Sequence, residues 1–144
     1  MRNADVNRDV GAALEIQHDV GVFDRLPRGL EEQSVLRVHV GRLTGRDAEK
    51  LGVELVDAIH EARGSAAAII INPGAFTHYA WAIHDALAAF DGPIIEVHIS
   101  NPNAREPWRH TSVVAPVATG SITGLGMHGY ELAVQAVVRR LAAA

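Results

Sequence analysis

Two polar residues interrupt an otherwise apolar run late in the chain. In the run from Pro93 to Ile99, PIIEVHI, the β-branched residues suit a buried strand, and Glu96 and His98 stand two apart inside it. Side chains two apart in a strand leave on the same face. A carboxylate beside an imidazole fixes the ring's tautomer and raises its basicity, so the pair suits acid or base work. Ser100 and Asn101 end the strand, and Arg105, Arg109 and His110 follow in a polar loop. Parallel α/β sheets bind ligands beyond the carboxyl ends of their strands. An acid or base, its orienting carboxylate and two arginines thus converge where a small anion would sit. The same residues also fit a plainer reading, a core Glu–His pair satisfied by hydrogen bonds beneath a loop of solvated arginines.

A second polar rim is expected at Asn72-Pro73-Gly74-Ala75, where a short apolar strand ends, with Thr77 capping the helix that follows. His78 then falls in that helix's first turn and Asp85 about two turns along the same face. Each also has a bland reading, Asn72 as a turn residue and His78 with Asp85 as a solvated face. His78 and His84 do not share a helical face and no H-x-x-x-H occurs, so no metal site is expected. The run GLGMHG at 124–129 has the spacing of a dinucleotide fingerprint, but no acidic residue about 20 positions on could hold a ribose. These glycines read as turn and packing residues, and a nucleotide-binding module rests on them alone.

The elements that must position these residues follow from periodicity. VLRVHV at 35–40 alternates as a strand. Thr44 with Asp47 resembles a capping box, and Ala48, Leu51, Leu55, Ile59 and Ala62 mark an amphipathic helix that Gly64 ends. Gly52 inside it suggests that the first turns are loop. AAAIIIN at 66–72 is apolar on both faces, as in a sheet covered on both sides. A helix with Ala80, Ile83, Leu87 and Phe90 buried, the strand at 93–99, a strand within 113–126 and a helix over 127–142 complete the order. Residues 1–34 read less clearly. Val10, Ala13 and Leu14 suggest a helix near 8–18 capped by Asn7, Val20, Val22 and Phe23 hint at a strand, and Pro27 and Gly29 break the chain. Alternating strands and helices predict one flavodoxin-like or Rossmann-like domain, a three-layer α/β/α fold with a parallel sheet over 1–144.

Composition sets the outer bounds. With 144 residues and no cysteine, the chain can bury a full core without staples, and thiolate metal sites are excluded. A net charge of −4 argues against a general nucleic-acid surface. No apolar run approaches the roughly 20 residues that cross a bilayer, and the polar start MRNADVNRDV has no signal-peptide core, so a cytoplasmic protein with no membrane partner is expected.

Four stretches match one family closely: ELVDAIHEARG at 54–64, IINPGAFTH at 70–78, EVHISNPNAREPWRHTSVVAPVATG at 96–120 and GLGMHGYELAV at 124–134. Over about residues 53–141 the chain resembles the type II 3-dehydroquinate dehydratases. The resemblance implies a flavodoxin-like fold, a dodecamer built as a tetramer of trimers, and no metal or cofactor. It implies dehydration of 3-dehydroquinate to 3-dehydroshikimate, in the shikimate or quinate pathway, by anti elimination through an enolate. Carried over residue by residue, His98 is the general acid and Glu96 orients it. The amides of Ile99 and Ser100, with the Ser100 hydroxyl, hold the substrate carboxylate. Asn72, His78 and Arg109 bind the ring hydroxyls, and Asp85 reaches a neighbouring subunit's site. The N-terminal part, atypical over 1–34, departs from the pattern. The family's N-G-P-N-L motif, whose Asn supports the enolate, is absent, and no tyrosine precedes Tyr79 to serve as the base that follows it. The alternative reading is therefore a catalytically impaired or repurposed homologue that binds a cyclic hydroxy-acid. Substitute bases would be sought among His18, His39, Asp24 and Asp47.

Overall fold

The computed structural model describes residues 14–20, 34–40 and 48–143. A five-stranded sheet runs in chain order: β1 (Leu14–Val20), β2 (Ser34–Val40), β3 (Ala68–Asn72), β4 (Ile94–His98) and β5 (Gly120–Thr123). β2 to β5 are parallel, and β1 pairs antiparallel along β2, with Leu14 opposite Val40 and Val20 opposite Ser34. Helices α1 (Ala48–Ala62), α2 (Trp81–Ala88) and α3 (His128–Ala142) cover the faces.

The sheet's pleat divides the core in two. Ile69, Ile71 and Ile94 point to one face, where Leu55 and Ile59 of α1, Ile83 and Leu87 of α2, and Val113 and Val114 pack on them. Ala68, Ile70, Ile95 and Val97 point to the other, against Tyr130, Ala133 and Val137 of α3. β3 and β4 lie inside the sheet with parallel neighbours, as their apolar runs required. Glu96 shares the pleat side of Ile94, so it is buried beneath the α1–α2 layer rather than beneath α3.

Several expectations need correction. The helix expected at 8–18 is a strand over its described part, Leu14–Val20; residues 8–13 lie outside the described residues. Leu14, Ile16 and Val20 also satisfy a period of two, and the open edge of β2 supplies backbone partners that an isolated helix would have to replace. The sheet is therefore mixed, with one antiparallel edge strand, where an all-parallel sheet was expected. An antiparallel neighbour needs no crossover helix. α1 runs unbroken through Gly52, where a β-carbon would lie 3.6 Å from the Phe76 ring. The proposed caps Asn7 and Thr44–Asp47, the breaks at Pro27 and Gly29, and Val22 and Phe23 lie outside the described residues. Thr77 does not cap α2. A 3-10 turn spans Gly74–His78, and α2 starts at Trp81 behind Ala80, which makes no side-chain cap. His78 is thus outside α2 and shares no helical face with Asp85.

Candidate active site

β4 carries the centre of the site. The Glu96 carboxylate is only 1% exposed, a position that costs an isolated charge several kcal/mol. It is not isolated. His98 Nε2 lies 2.8 Å from Oε1, and the Thr77 hydroxyl donates to the same oxygen. Ser112 Oγ lies 3.0 Å from Oε1 and 3.2 Å from Oε2, and Ser121 Oγ donates to Oε2 at 3.2 Å. Burial alone would push the carboxyl pKa up. The hydrogen bonds of His98, Thr77 and Ser112 and the charge of His98 outweigh it, and the group stays below the usual glutamate range. An ionised carboxylate only accepts, so His98 carries its proton on Nε2 and leaves Nδ1 for a ligand. The same-face argument from sequence is therefore realised as a direct bond.

The segment after β4 turns back on itself. The amides of Gly124 and Gly126 donate to the carbonyls of His98 and Ile99, each at 3.0 Å. Both glycines have positive φ, +83° and +59°, which side chains other than glycine rarely adopt. The GLGMHG run is thus the turn that fixes the end of β4, and Ile99 and Ser100 follow it exposed to solvent. Asn72 ends β3 on the neighbouring strand, buried, and its side-chain oxygen accepts from the Gly74 amide at 3.1 Å. That bond turns the chain at the end of the strand.

The loop from 101 to 112 forms the outer wall. His78 Nδ1 donates to the Thr111 carbonyl at 2.7 Å, and its ring meets Trp108 edge-on at 5.3 Å. The Arg109 guanidinium lies 4.1 Å above the same indole, and its Nε donates to Glu106 at 2.7 Å. Glu106, exposed, is held below the usual range by its own backbone amide and by Arg109. His78, Trp108 and Arg109 thus stand as one stack beside the Glu96–His98 pair, with Thr77 joining the two. Asp85 faces away, exposed on α2. Among the described residues no three acidic or histidine side chains converge as metal ligands.

These residues lie within a recognised sequence family. Residues 33–138 match the model of dehydroquinase class II. The chain belongs to that family. It is 59% identical over 81 residues to a 3-dehydroquinate dehydratase of Bacillus licheniformis, covering 56% of each chain. It is 50% identical over 107 residues to that of Bacillus cytotoxicus, covering 67% of this chain and 73% of the relative. Type II dehydroquinases of Butyrivibrio crossotus and Propionibacterium acnes superpose with TM-scores of 0.58 and 0.59 at 48% and 47% identity, over 59% and 60% of this chain and 60% of each of theirs. The fold is accordingly flavodoxin-like α/β. The chain spans a little under three fifths of the first relative's length. The class II match begins at β2 and includes Asn72, His78, Asp85, Glu96, His98, Ile99, Ser100 and Arg109, while the substitute-base candidates His18 and Asp24 lie before it.

The structure joins Glu96 to His98, sets Asn72 at the end of the adjacent strand, and groups His78 with Arg109. It does not bring Asp85 to them within one chain. Sequence reasoning missed Thr77, Ser112 and Ser121 as partners of Glu96. They lie 19 residues before and 16 and 25 after it, so no local spacing reveals them. The one usable signal was a glutamate in an apolar strand, which demands donors from somewhere.

Proposed function

We propose that this class II dehydroquinase dehydrates 3-dehydroquinate to 3-dehydroshikimate, in the shikimate or quinate pathway, by anti elimination through an enolate. His98, acting as the imidazolium, gives its Nδ1 proton to the departing hydroxyl, while its Nε2–H stays on Glu96, which holds the ring. The amides and hydroxyl of Ile99 and Ser100 bind the substrate carboxylate, and Asn72, His78 and Arg109 bind the ring hydroxyls. The observation that carries this reading is the buried, ionised Glu96 fixing His98 at the carboxyl end of a central strand. The reaction needs no cofactor: protonation and deprotonation suffice.

We infer a homo-oligomer built from trimers, a dodecamer in its full form, in which Asp85 enters a neighbouring site. Its support is an apolar groove between α1 and α2, lined by Val53, Val56, Phe76, Tyr79 and Ile83, with Trp81 on the exposed start of α2. Val53, Tyr79 and Trp81 are each more than half exposed, apolar surface that a neighbouring chain would cover. A cytoplasmic location is in keeping with this chemistry.

A second reading, an impaired homologue that binds a cyclic hydroxy-acid, is favoured by the tyrosines. The chain has two, and neither suits a base beside His98. Tyr130 packs beneath the opposite face of the sheet, and Tyr79 lines the α1–α2 groove against Phe76. Calorimetry with a cyclic enolate mimic, run beside an ultraviolet assay of enone formation from 3-dehydroquinate, separates the readings. Binding with turnover near the enzyme median of about 10 s⁻¹ supports the enzyme. Binding with turnover slower by orders of magnitude supports the impaired homologue, and no binding at millimolar ligand removes both.

A further inference from the structure

Ser112 has no role in the assignments above, and neither has the Thr77 hydroxyl, yet both sit on Glu96. Proton counting shows what they do. Ser112 Oγ accepts the amides of Val114 at 3.1 Å and Ala115 at 2.9 Å. Those two bonds fill both lone pairs of the hydroxyl, so Ser112 can only donate, either to Glu96 or to Thr77 Oγ1 2.8 Å away. Thr77 in turn cannot donate to an oxygen whose lone pairs are filled. The Thr77 proton therefore goes to Glu96. Ser121 and His98 donate to Glu96 as well, and Ser112 acts on the carboxylate directly or through Thr77. A protonated Glu96 would have no oxygen able to accept its proton without displacing one of these bonds.

We propose that Thr77 and Ser112 are positioning residues for the acid step: a donor-only clamp, oriented by the Val114 and Ala115 amides, that keeps Glu96 a carboxylate and thereby keeps the His98 proton on Nε2. The catalytic part of this rests on the dehydratase reading; the clamp itself does not. Among the described residues, few other ionisable groups face the carboxylate. On its own strand it has His98. The 3-10 turn brings His78, whose Nδ1 is engaged by the Thr111 carbonyl. Residues 111–115 and β5 carry no ionisable side chain. On this face α1 and α2 present Leu55, Ile59, Ile83 and Leu87, and His84 of α2 bonds the Val113 carbonyl.

Thr77→Val tests the clamp because it removes the hydroxyl and keeps the branched shape. Ser112→Ala frees two backbone amides and so endangers the fold; Thr77→Ser serves as the restoring control. Nitrogen-15 NMR of histidine-labelled protein reads the His98 ring directly, with the His98→Asn spectrum assigning the signal. The wild type is expected to hold the proton on Nε2 from neutral pH down to the titration of Glu96. In Thr77→Val both tautomers should be populated, and the Glu96-linked inflection should move to higher pH. In turnover, kcat should fall about tenfold for the lost charged hydrogen bond while KM changes by less than about twofold. Thr77→Ser should restore the ring spectrum and the rate together. A Thr77→Val spectrum and titration identical to wild type overturn the proposal. An inactive wild type with the expected NMR result refutes the dehydratase reading and leaves the clamp standing.

Discussion

Glu96 keeps its charge in a nearly dry site because donors were brought to it from three other segments, and that arrangement makes its protonation a stability switch. The folded-state pKa lies below that of an unfolded glutamate, held down by its hydrogen bonds and the charge of His98. Such a group contributes its full stabilisation above the unfolded pKa and loses it as the pH falls through the folded one. Urea melts should therefore show stability declining below about pH 4.5. Glu96→Gln should lose that portion of the decline. It should also be weaker at neutral pH by about 1–3 kcal/mol, since an amide presents donors to donors. A variant with an unaltered acid limb would remove Glu96 as its source. His98 is the other residue-scale test. Its ring also donates to the buried Glu96, so His98→Ala should keep the fold by circular dichroism but be weaker by about 1–3 kcal/mol, while turnover drops about 10²–10⁴-fold. Wild-type rates in that variant would exclude His98 as the acid.

The elements were legible wherever one periodicity ran long enough to exclude the other. α1 and α3 declared themselves by steps of three and four, β3 by an unbroken apolar run, and β4 by a β-branched run broken only by Glu96 and His98. β1 was misread because Val10, Ala13 and Leu14 fit a helix as well as Leu14, Ile16 and Val20 fit a strand, and the partner edge on β2 decided between them. Thr77 looked like a cap because caps are read from local order, whereas its bond to Glu96 is a product of tertiary folding. The Glu96–His98 contact was legible for the opposite reason: it lies within one strand and follows from the pleat. The turn into β4 offers a test at this scale. A β-carbon at Gly92 would lie 2.4 Å from the Ala67 carbonyl oxygen and 2.6 Å from the Phe90 ring. The carbonyl is backbone and cannot yield, so Gly92→Ala should cost about 1–3 kcal/mol in denaturant melts and shift the strand that carries Glu96 and His98. Gly120 in β5 has nothing within 4 Å of the same position. Gly120→Ala should be neutral or stabilising by up to about 1 kcal/mol, through the less flexible unfolded chain. Equal losses at both glycines would show that the crowding at Gly92 is not what limits it.

At the scale of the whole molecule, the proposed site draws on more than one chain. Asp85 stands on the exposed side of α2, while the groups it is proposed to join are on the far side of that layer. A closed ring of three chains resolves this. Each would lay its α2 against the next, burying Trp81 and the apolar groove, and each site would take Asp85 from its neighbour. Light scattering at micromolar concentration should then give a multiple of three chains. Asp85→Ala should weaken binding of a substrate mimic without altering the melt of the isolated fold. Size alone does not prove the crossing, but complementation does. Asp85→Ala and His98→Ala chains, each nearly inactive, are mixed, unfolded together and reassembled. A site regains both groups when its own chain supplies His98 and its neighbour supplies Asp85. With equal, random mixing in a head-to-tail ring that occurs at roughly one quarter of sites. Activity rising to about that share of wild type places Asp85 in the adjacent subunit's site. Activity no higher than the mean of the two variants would mean that Asp85 acts within its own chain or not at all.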